Sequence, residues 1–414
     1  MKKFNIILIL CLSLILSVLW SCHQKKEGIK IMFIGIDALD WEVLDQLVLE
    51  GAAPNFIELI QNGASAKINS NDKNVSAVYW TTIATGQLST QHGITDFVTI
   101  DPATKERIPV TSNMRKSKAF WNIFSENNID VGVIGWYVSW PAEKVKGFIV
   151  SSYFAVKDSE QLTWKGTFYE DTPHMTYPED LNKDVNRYVQ TAKERYLINI
   201  KKIIKPSALD KDYGVIRETK WAFLTDEIYN EIGLNLYPKL NPQVFAVYFV
   251  GVDVVGHRFT FPKKARQRGT NLQFGNVQRN YYLYMDEVLG KYVPMADENT
   301  VIIVAADHGL MRGHHTNNGA FIISGPGIKQ NVRSSTPINL TDIFPTMLYI
   351  MGLPVANDMD GEVFIDAFQD NFLAKNKIHH ISSYGKREDV TQAPKRSQFD
   401  EKIVKRLKAL GYIK

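Results

Sequence analysis

The 414-residue sequence contains very little cysteine. Its two cysteines are Cys11, inside an apolar N-terminal run, and Cys22, at the end of that run. Once this run is removed as a leader, Cys22 is the only thiol left. Disulfide frameworks, cysteine nucleophiles and cysteine-ligated metals are therefore excluded as the basis of the protein's function.

The sequence also lacks a strong excess of charge of either sign. The formal net charge is +4, and the 48 basic residues are spread along the chain among 44 acidic ones. A nucleic-acid-binding protein has a clustered basic face, so we expect no nucleic-acid-binding surface here. The composition, 45% hydrophobic and 22% charged, is that of a globular chain long enough for one large α/β domain or two smaller ones.

Residues 1–22 have the pattern of a secretory signal. Two lysines precede an apolar run over residues 4–19, and the following "LWSC" resembles the cleavage and acylation site of bacterial lipoproteins. We expect an exported protein that is lipid-anchored through Cys22 to the bacterial cell envelope, at the outer membrane or the periplasmic face, with residues 23–28 as a tether. An uncleaved transmembrane anchor is the alternative, for which the run is slightly short.

Residues 29–414 alternate apolar runs with helical patterns, and we interpret them as one domain. Near-continuous apolar runs are typical of strands covered on both faces in a parallel sheet, and they lie at 29–36, 131–136, 244–250, 300–306 and 320–324. The pattern predicts an α/β fold, a layered and mostly parallel sheet flanked by helices. Residues 155–235 are polar and aromatic without a clear buried strand, so we interpret them as a cap inserted over the sheet.

Acidic and imidazole side chains follow three of these runs. They are Asp37 after the first run, Asp253 and His257 after 244–250, Asp307 and His308 after 300–306, and then His314 and His315 before the last strand. Ligands of open α/β sheets bind beyond the carboxyl ends of the strands. Each residue alone fits a turn or a helix cap. Together they are the ligand types of zinc or manganese where thiols are absent, in the number that two metal ions need.

Five motifs then resemble a known family. They are "GIDALDW", "SAVYWTTIATGQLSTQHGI", "GVDVVGH", "ADHGL" and "HHTNNGAFIISGPGI", in this order along the chain. Their order and spacing are similar to those of the alkaline phosphatase superfamily, and most similar to its type I phosphodiesterase/nucleotide pyrophosphatase branch. The resemblance runs from about Ile29 to Gly361, and the terminal "LKALGYI" also recurs in related proteins.

The resemblance implies two divalent metal ions, usually Zn²⁺, with Mn²⁺ as the alternative. By motif position, one ion would be held by Asp253, His257 and His315, and the other by Asp37, Ser76, Asp307 and His308. The family histidine stands four residues before the glycine that opens the next strand, here Gly319. This position favours His315 over His314.

Ser76 is the nucleophile that the resemblance implies. It precedes a stretch that can begin a helix, where the positive end of the helix dipole favours phosphate, and a metal at its oxygen would lower its pKa. The alternative is that Ser76 only caps the helix. Asn74 would donate to a phosphate oxygen, unless it is simply a solvated loop residue. Tyr79 replaces the phosphate-binding asparagine of nucleotide pyrophosphatases, so nucleotide specificity does not carry over.

The predicted function is that of a metal-dependent phosphoric ester hydrolase, a phosphodiesterase or nucleotide pyrophosphatase. Its partners would be a phosphate ester substrate and the membrane, and nothing in the sequence indicates an oligomeric state. A phosphomonoesterase, a phospho-group transferase on the same site and a non-catalytic ligand-binding lipoprotein are the alternatives. Sulfatases share the fold, but "SAVYW" lacks the proline and arginine that formylglycine maturation requires.

Overall fold

The computed structural model describes residues 28–70, 75–155, 172–210, 213–259, 274–391 and 395–413. The predicted signal with Cys22, most of the tether, Asn74 and part of the predicted cap lie outside the described residues. Among the residues that are described, no helix combines the length and the apolar character that a membrane crossing requires.

A central sheet organises the described chain. Its strands are β1 (Lys30–Ile36), β2 (Gly63–Asn69), β5 (Val131–Ile134), β6 (Gly147–Val150), β7 (Thr176–Tyr177), β8 (Val244–Phe249), β9 (Thr300–Ala305), β12 (Gly319–Ser324), β13 (Val332–Arg333) and β14 (Ile338–Asn339). The order across the sheet is β13-β2-β12-β9-β1-β8-β5-β6-β7, and β14 also pairs with β2. Strands β9, β1, β8, β5 and β6 are parallel neighbours, whereas β12 and β7 are antiparallel to theirs.

Three small sheets lie beside the central one. They pair β3 (Val98–Ile100) with β4 (Arg107–Pro109), β10 (Gly309–Met311) with β11 (His314–Thr316), and β15 (Val355–Ala356) with β16 (His380–Ile381). The described helices are α1 (Trp41–Leu49), α2 (Pro54–Gln61), α3 (Ser76–Thr85), α4 (Ser89–His92), α5 (Phe120–Glu126), α6 (Leu181–Ile203), α7 (Pro206–Leu209), α8 (Gly214–Leu240), α9 (Gly251–Phe259), α10 (Val277–Tyr292), α11 (Ile343–Ile350), α12 (Asp370–Lys375) and α13 (Asp400–Leu410).

Helices cover both faces of the sheet, so its central strands are buried throughout. On one face, Gly35 of β1 approaches Trp80 of α3 so closely that a Cβ there would lie 2.7 Å from the indole ring. On the other face, Phe245 of β8 contacts Tyr237 of α8 and Tyr292 of α10, with ring centroids 5.0 and 6.1 Å apart. This double burial explains why these strands are continuous apolar runs, and it confirms the predicted fold class.

The region predicted as a cap has a different local structure from the one expected. The short strand β7 lies within it and pairs with β6, in a stretch where the sequence shows no clear buried strand. Helix α8 also extends past residue 235 and contacts β5 and β8, which makes it part of a layer on the sheet. The buried residues of α8 are spread around most of the helix, so its sequence shows no clear apolar stripe that would predict this packing. A cap role over a substrate stays a prediction.

Candidate metal centre and active site

Three aspartates meet at the carboxyl edge of the sheet. Asp37 directly follows β1, Asp307 lies two residues after β9, and Asp253 belongs to the first turn of α9, which follows β8. Because β1 pairs in parallel with both β8 and β9, these three strand ends lie side by side. Each of the three residues is at most 1% exposed.

Three histidines join the aspartates. His257 Nε2 lies 3.2 Å from Oδ1 of Asp253, and His315 Nε2 lies 3.7 Å from the same oxygen. The ring of His308 stacks on that of His315 with centroids 3.7 Å apart. His314, the alternative to His315, is exposed on β11. The structure therefore places His315, and not His314, beside Asp253 and His308.

The donor atoms form two adjoining groups that share one histidine. Within each group, all donor atoms lie within 4.8 Å of one another; the groups are Asp253, His308 and His315, and Asp37, Asp307 and His308. His257 joins the first group through its contacts with Asp253 and His315, whose Nε2 is 2.9 Å from its own. The six predicted side-chain ligands other than Ser76 thus lie in one continuous cluster.

Four buried polar atoms in this cluster make no hydrogen bond within the described structure. They are Oδ1 of Asp37, Oδ1 of Asp253, Oδ2 of Asp307 and Nε2 of His308. The second oxygen of Asp37 accepts from Tyr248, and that of Asp307 accepts from the backbone N–H of Ala38. Each carboxylate is thus held by one oxygen and presents the other. This arrangement is typical of metal-ligating carboxylates with an outer shell of hydrogen bonds.

The tautomer of His308 suits a metal ligand. Its Nδ1 lies 3.0 Å from the carbonyl oxygen of Gly309. A carbonyl only accepts, so Nδ1 carries the proton in this contact, and in the neutral ring the lone pair is then on Nε2. That lone pair faces Oδ1 of Asp37 at 3.4 Å and Oδ2 of Asp307 at 3.5 Å. The space between these two carboxylate oxygens and Nε2 is wide enough for a cation, and the three atoms can serve as its ligands.

Burial and mutual repulsion perturb the acids of the cluster. Burial, followed by the charge of Asp307, raises the pKa of Asp37 well above its ordinary value. Burial also raises the pKa of Asp307, to about 7. Burial opposes ionisation of Asp253 too, but the neighbouring imidazole of His257 outweighs it and holds the pKa of Asp253 below its ordinary value. The cluster concentrates negative charge that a divalent cation would neutralise.

Ser76 is the first residue of α3, and Val75 occupies the cap position before it. The alternative in which Ser76 only caps the helix is therefore wrong. One turn later, the indole nitrogen of Trp80 lies 3.4 Å from Oδ2 of Asp37, and the ring of Tyr79 lies 5.9 Å from that of His308. The amino end of α3, with the buried Ser76, is thus at the same edge as the acidic cluster.

His92, which closes the hydroxyl-rich segment, has a structural role as predicted. Its Nε2 lies 3.1 Å from Oγ1 of Thr82, and its Nδ1 accepts the backbone N–H of Ile94. The residue is fully buried. These bonds tie α4 and the following turn to α3, and so help to fix the segment that begins at Ser76.

The sequence motifs did not identify three residues that support the aspartates and helix α9. Asp226 of α8 accepts the backbone N–H groups of Val250 and Gly251, each at 2.9 Å, and so holds the start of α9. Tyr248 holds Asp37, and the Tyr412 hydroxyl donates to Oδ2 of Asp253. Only Tyr412 had a signal in the sequence, because it belongs to the terminal "LKALGYI".

A mostly apolar cavity of about 110 Å³ adjoins the cluster. Tyr248 and Tyr412, which hold two of the aspartates, are part of its wall. The remaining lining includes the aromatic side chains of Phe97, Tyr137, Trp140, Tyr153 and Trp221. The cavity therefore provides space for an apolar or aromatic group beside the carboxylates.

Known proteins match this chain in part. Human arylsulfatase K is 24% identical over 146 residues, which cover 31% of this chain and 27% of that protein. The catalytic subunit of mouse GPI ethanolamine phosphate transferase 3 is 27% identical over 154 residues, which cover 34% of this chain and 13% of that protein. This chain thus aligns with less than a third of the length of either of these relatives.

Two solved structures also match. An inactive form of murine ectonucleotide pyrophosphatase/phosphodiesterase 5 in complex with AMP has a TM-score of 0.48 and 11% identity, covering 83% of this chain and 100% of that one. The phosphonate monoester hydrolase of Silicibacter pomeroyi has a TM-score of 0.44 and 16% identity, covering 81% and 76%.

The family model of type I phosphodiesterase/nucleotide pyrophosphatase matches residues 31–351, which include the three aspartates, Ser76 and all the histidines of the cluster. This match extends over more than half of the chain. The protein belongs to the type I phosphodiesterase/nucleotide pyrophosphatase family.

Proposed function

We propose that the protein is a metal-dependent phosphoric ester hydrolase, and specifically a phosphodiesterase or nucleotide pyrophosphatase. It would act through a covalent phospho-intermediate on Ser76, at a centre for two divalent cations, Zn²⁺ or, as the alternative, Mn²⁺. The family to which the chain belongs supports action on phosphate esters. The two-metal centre and the serine nucleophile are our proposals.

The observation that carries the proposal is the set of four bare, buried donor atoms on Asp37, Asp253, Asp307 and His308. Burying a carboxylate away from water is costly unless its charge and its lone pairs are satisfied, and a whole domain is stable by only about 5–15 kcal/mol. Three buried carboxylates, each with one oxygen that accepts no hydrogen bond, therefore disfavour folding in the absence of a bound cation. Divalent cations bound among them would remove that cost, which is the simplest reason for their arrangement.

We assign Asp253, His257 and His315 to one cation, and Asp37, Ser76, Asp307 and His308 to the other. His308 lies within reach of both groups, so its assignment to the second is a choice based on its short distances to Asp37 and Asp307. Two bound cations would neutralise phosphate charge and favour ionisation of the serine hydroxyl.

In the first step, Oγ of Ser76, having lost its proton to solvent, attacks phosphorus; a new O–P bond forms, and the ester P–O bond breaks with its electron pair leaving on the alcohol oxygen, which takes a proton from solvent. In the second, water attacks phosphorus, the O–P bond to Ser76 breaks, and a proton from that water restores the serine hydroxyl. The backbone N–H groups in the first turn of α3, which begins at Ser76, would face the phosphate oxygens, where they favour negative charge. Tyr79 would pack beside the bound phosphate through its position next to His308, and Asn74 would donate to a phosphate oxygen.

The neighbouring cavity supports an organic group on the substrate. Its aromatic wall reaches Tyr248 and Tyr412 at the cluster itself, so an ester bound at the cluster can place an apolar or aromatic substituent there. A monoester and a diester each carry at least one organic substituent, so the cavity supports an organic phosphate ester and does not distinguish the two.

We further propose that the chain is exported and lipid-anchored at Cys22, with the catalytic domain at the cell envelope. The apolar N-terminal run and "LWSC" support this. Cells expressing the full chain would be labelled with a radioactive fatty acid. Label in the wild type that is lost in Cys22→Ala supports the anchor, and label that persists in the variant rejects it.

The test of the proposed activity uses the full chain, purified in detergent and supplied with Zn²⁺. Hydrolysis of bis-p-nitrophenyl phosphate is compared with that of p-nitrophenyl phosphate. Ser76→Ala is the critical variant. Ser65→Ala is its matched control, because Ser65 is an equally buried serine on β2 whose hydroxyl contacts the backbone oxygen of Val332.

Faster diester hydrolysis that is lost in Ser76→Ala and kept in Ser65→Ala supports a phosphodiesterase. Faster monoester hydrolysis with the same dependence on Ser76 would place the protein with the phosphatases. Absence of hydrolysis by a chain that binds two metal ions would favour phospho-group transfer to a lipid or glycan. Full activity in Ser76→Ala would reject the serine nucleophile.

A further inference from the structure

The last residues of the chain pack against the candidate active site. Helix α13 contributes Ile403 and Leu407 to an apolar cluster around Ala77, which directly follows Ser76. Arg406 of the same helix lies over the ring of Trp221 at 3.8 Å. The segment before α13 is fastened by Arg396, and the helix itself lines the aromatic cavity.

Polar contacts fix this segment in place. Arg396 forms ion pairs with Asp101 at 2.6 Å and with Glu106 at 2.8 Å. The hydroxyl of Ser397 donates to Asp400 at 2.6 Å at the start of α13. Exposed pairs of this kind contribute little individually to stability. Together with the apolar face of α13, they hold the end of this helix beside the metal cluster.

A glycine turn then directs the chain inward. Gly411 ends α13 with a φ of +82°, a conformation that favours glycine, and its N–H donates to the carbonyl of Lys408. The N–H of Tyr412 donates to the carbonyl of Leu407. These two bonds close the helix and point the Tyr412 side chain towards α9.

The ring and the hydroxyl of Tyr412 make different contacts. The ring stacks on Phe97 with centroids 5.1 Å apart and planes at 13°, and its edge meets His257 at 5.4 Å. The hydroxyl donates to Oδ2 of Asp253. A phenylalanine would serve the stacking equally well. The hydroxyl is therefore not needed for the stacking. Its only hydrogen-bond partner in the described structure, Asp253, indicates its role.

That partner is the outer oxygen of a proposed metal ligand. Oδ1 of Asp253 is buried without a hydrogen bond and faces His257 and His315. Tyr248 makes the same contact with Asp37, whose Oδ1 is also bare. Each of the two aspartates therefore has one oxygen held by a tyrosine and the other turned towards imidazole nitrogens.

We propose that Tyr412 is a positioning residue of the metal centre: its hydroxyl fixes the outer oxygen of Asp253, so that the inner oxygen is presented together with His257 and His315 to one divalent cation. The inference rests on the metal centre of the proposed function. It gives the terminal "LKALGYI" a role, because the helix, the glycine turn and the tyrosine are all needed to bring this hydroxyl to Asp253.

The test is metal affinity, which does not depend on the substrate. The full chain in detergent is stripped of metal and titrated with Zn²⁺ against a chromogenic chelator, as wild type, Tyr412→Phe and Tyr384→Phe. Tyr384 is the matched control, because its hydroxyl donates to the backbone oxygen of Pro354 at 2.6 Å in another part of the structure. Outer-sphere partners of metal ligands are worth about 10–100-fold in affinity.

We expect one of two Zn²⁺ equivalents to bind at least about tenfold more weakly in Tyr412→Phe, while the second equivalent and the Tyr384→Phe protein stay unchanged. The visible absorption spectrum of the Co²⁺-loaded protein should also change in Tyr412→Phe, because it reports ligand geometry. A chain ending at Gly411 should reproduce both effects.

Unchanged Zn²⁺ affinities and Co²⁺ spectrum in Tyr412→Phe would overturn the role of Tyr412 and leave the proposed metal centre standing. Equal losses in Tyr384→Phe would also overturn it, since they would reflect general destabilisation. A wild-type chain that binds no Zn²⁺ would instead refute the metal centre, and this inference with it.

Discussion

The hydroxyl of Tyr248 donates a 2.6 Å hydrogen bond to Oδ2 of Asp37 and leaves Oδ1 of the same carboxylate bare. The indole nitrogen of Trp80 approaches the same outer oxygen at 3.4 Å. Oδ1 is consequently turned towards Nε2 of His308, 3.4 Å away. Strand β8 thus sets the orientation of a carboxylate that belongs to the neighbouring strand end.

The first prediction is that Tyr248→Phe weakens Zn²⁺ binding by about 10–100-fold. The ring would keep its contacts with Trp80 and Tyr137, whereas Asp37 would lose its strongest donor and rotate more freely. Isothermal titration of the metal-free chain with Zn²⁺ measures the change. Tyr292→Phe is the control, because its hydroxyl contacts the backbone oxygen of Asn230 between α10 and α8. Equal affinities in both variants would contradict this account of Asp37.

The second prediction separates two adjacent histidines. His315 stacks on His308 and lies 2.9 Å from His257 between their Nε2 atoms, whereas His314 is exposed on β11. We expect His315→Ala to retain one equivalent of zinc after dialysis and His314→Ala to retain two. Elemental analysis of the dialysed proteins measures the stoichiometry. Loss of zinc from His314→Ala alone would exchange the two assignments.

The sequence predicted the strands that bear the site because these strands are buried on both faces. The runs that contain β1, β8 and β9 are almost continuously apolar, and an acid follows each of them. Since parallel strands end at the same edge, Asp37, Asp253 and Asp307 had to lie close together once the sheet was correct. Predicting the cluster therefore required only local sequence patterns and one rule of sheet topology.

Strand β2 was not predicted, for a physical reason. Its sequence "GASAKIN" is dominated by small residues, which favour strands weakly. It is a strand because β12, some 250 residues further along, pairs with it antiparallel from Gly63 to Ile68. Gly63 also approaches the backbone of Ile323 too closely to carry a Cβ. Such a close approach depends on tertiary structure that no local pattern contains.

The supporting residues escaped prediction for the same reason. Tyr412 meets Asp253 across 159 residues of chain, and Tyr248 meets Asp37 across 211. Asp226 lies inside a helix, where the sequence pattern suggests only another polar position. Their roles depend on which strand and which helix end lie beside them, and this is known only when the fold is assembled.

The third prediction concerns Asp226, which holds the start of α9 with one oxygen on each of two backbone N–H groups, and Asp286, which holds the start of α2. One oxygen of Asp286 accepts the backbone N–H groups of Asn55 and Phe56, and the other accepts the side-chain amide of Asn55. An asparagine offers one acceptor in place of two, so each Asp→Asn variant should lose about 1–3 kcal/mol of unfolding free energy in urea. Only Asp226→Asn should also weaken Zn²⁺ binding, since only α9 carries Asp253.

Asp286→Asn is thus the control for general destabilisation. If both variants bind Zn²⁺ as the wild type does, the start of α9 does not need Asp226 to position its ligands. If both bind it more weakly, metal affinity follows global stability. Either result would contradict the specific link between Asp226 and the metal cluster.

The last prediction is the pH dependence of stability that Asp226 causes. Burial raises its pKa from 3.8 to about 7, although Tyr281 and two backbone N–H groups oppose this. Between about pH 4 and 7 the folded state therefore holds a proton that the unfolded state has released, and the contribution of Asp226 to stability falls as the pH rises. We expect the difference in unfolding free energy, wild type minus Asp226→Asn, to decrease across this window and to level off above about pH 8. Both free energies are measured by urea titration in the presence of EDTA.

Asp101→Asn is the comparison of opposite sign. The backbone N–H of Ala103, followed by Arg396, lowers the pKa of Asp101 below 3.8, so its contribution is lost only as the pH falls below that value. The wild-type minus Asp101→Asn difference should be flat between about pH 5 and 7. An Asp226 difference that is equally flat, or that grows with pH, would mean that Asp226 stays ionised in the folded protein and that its three hydrogen bonds outweigh burial.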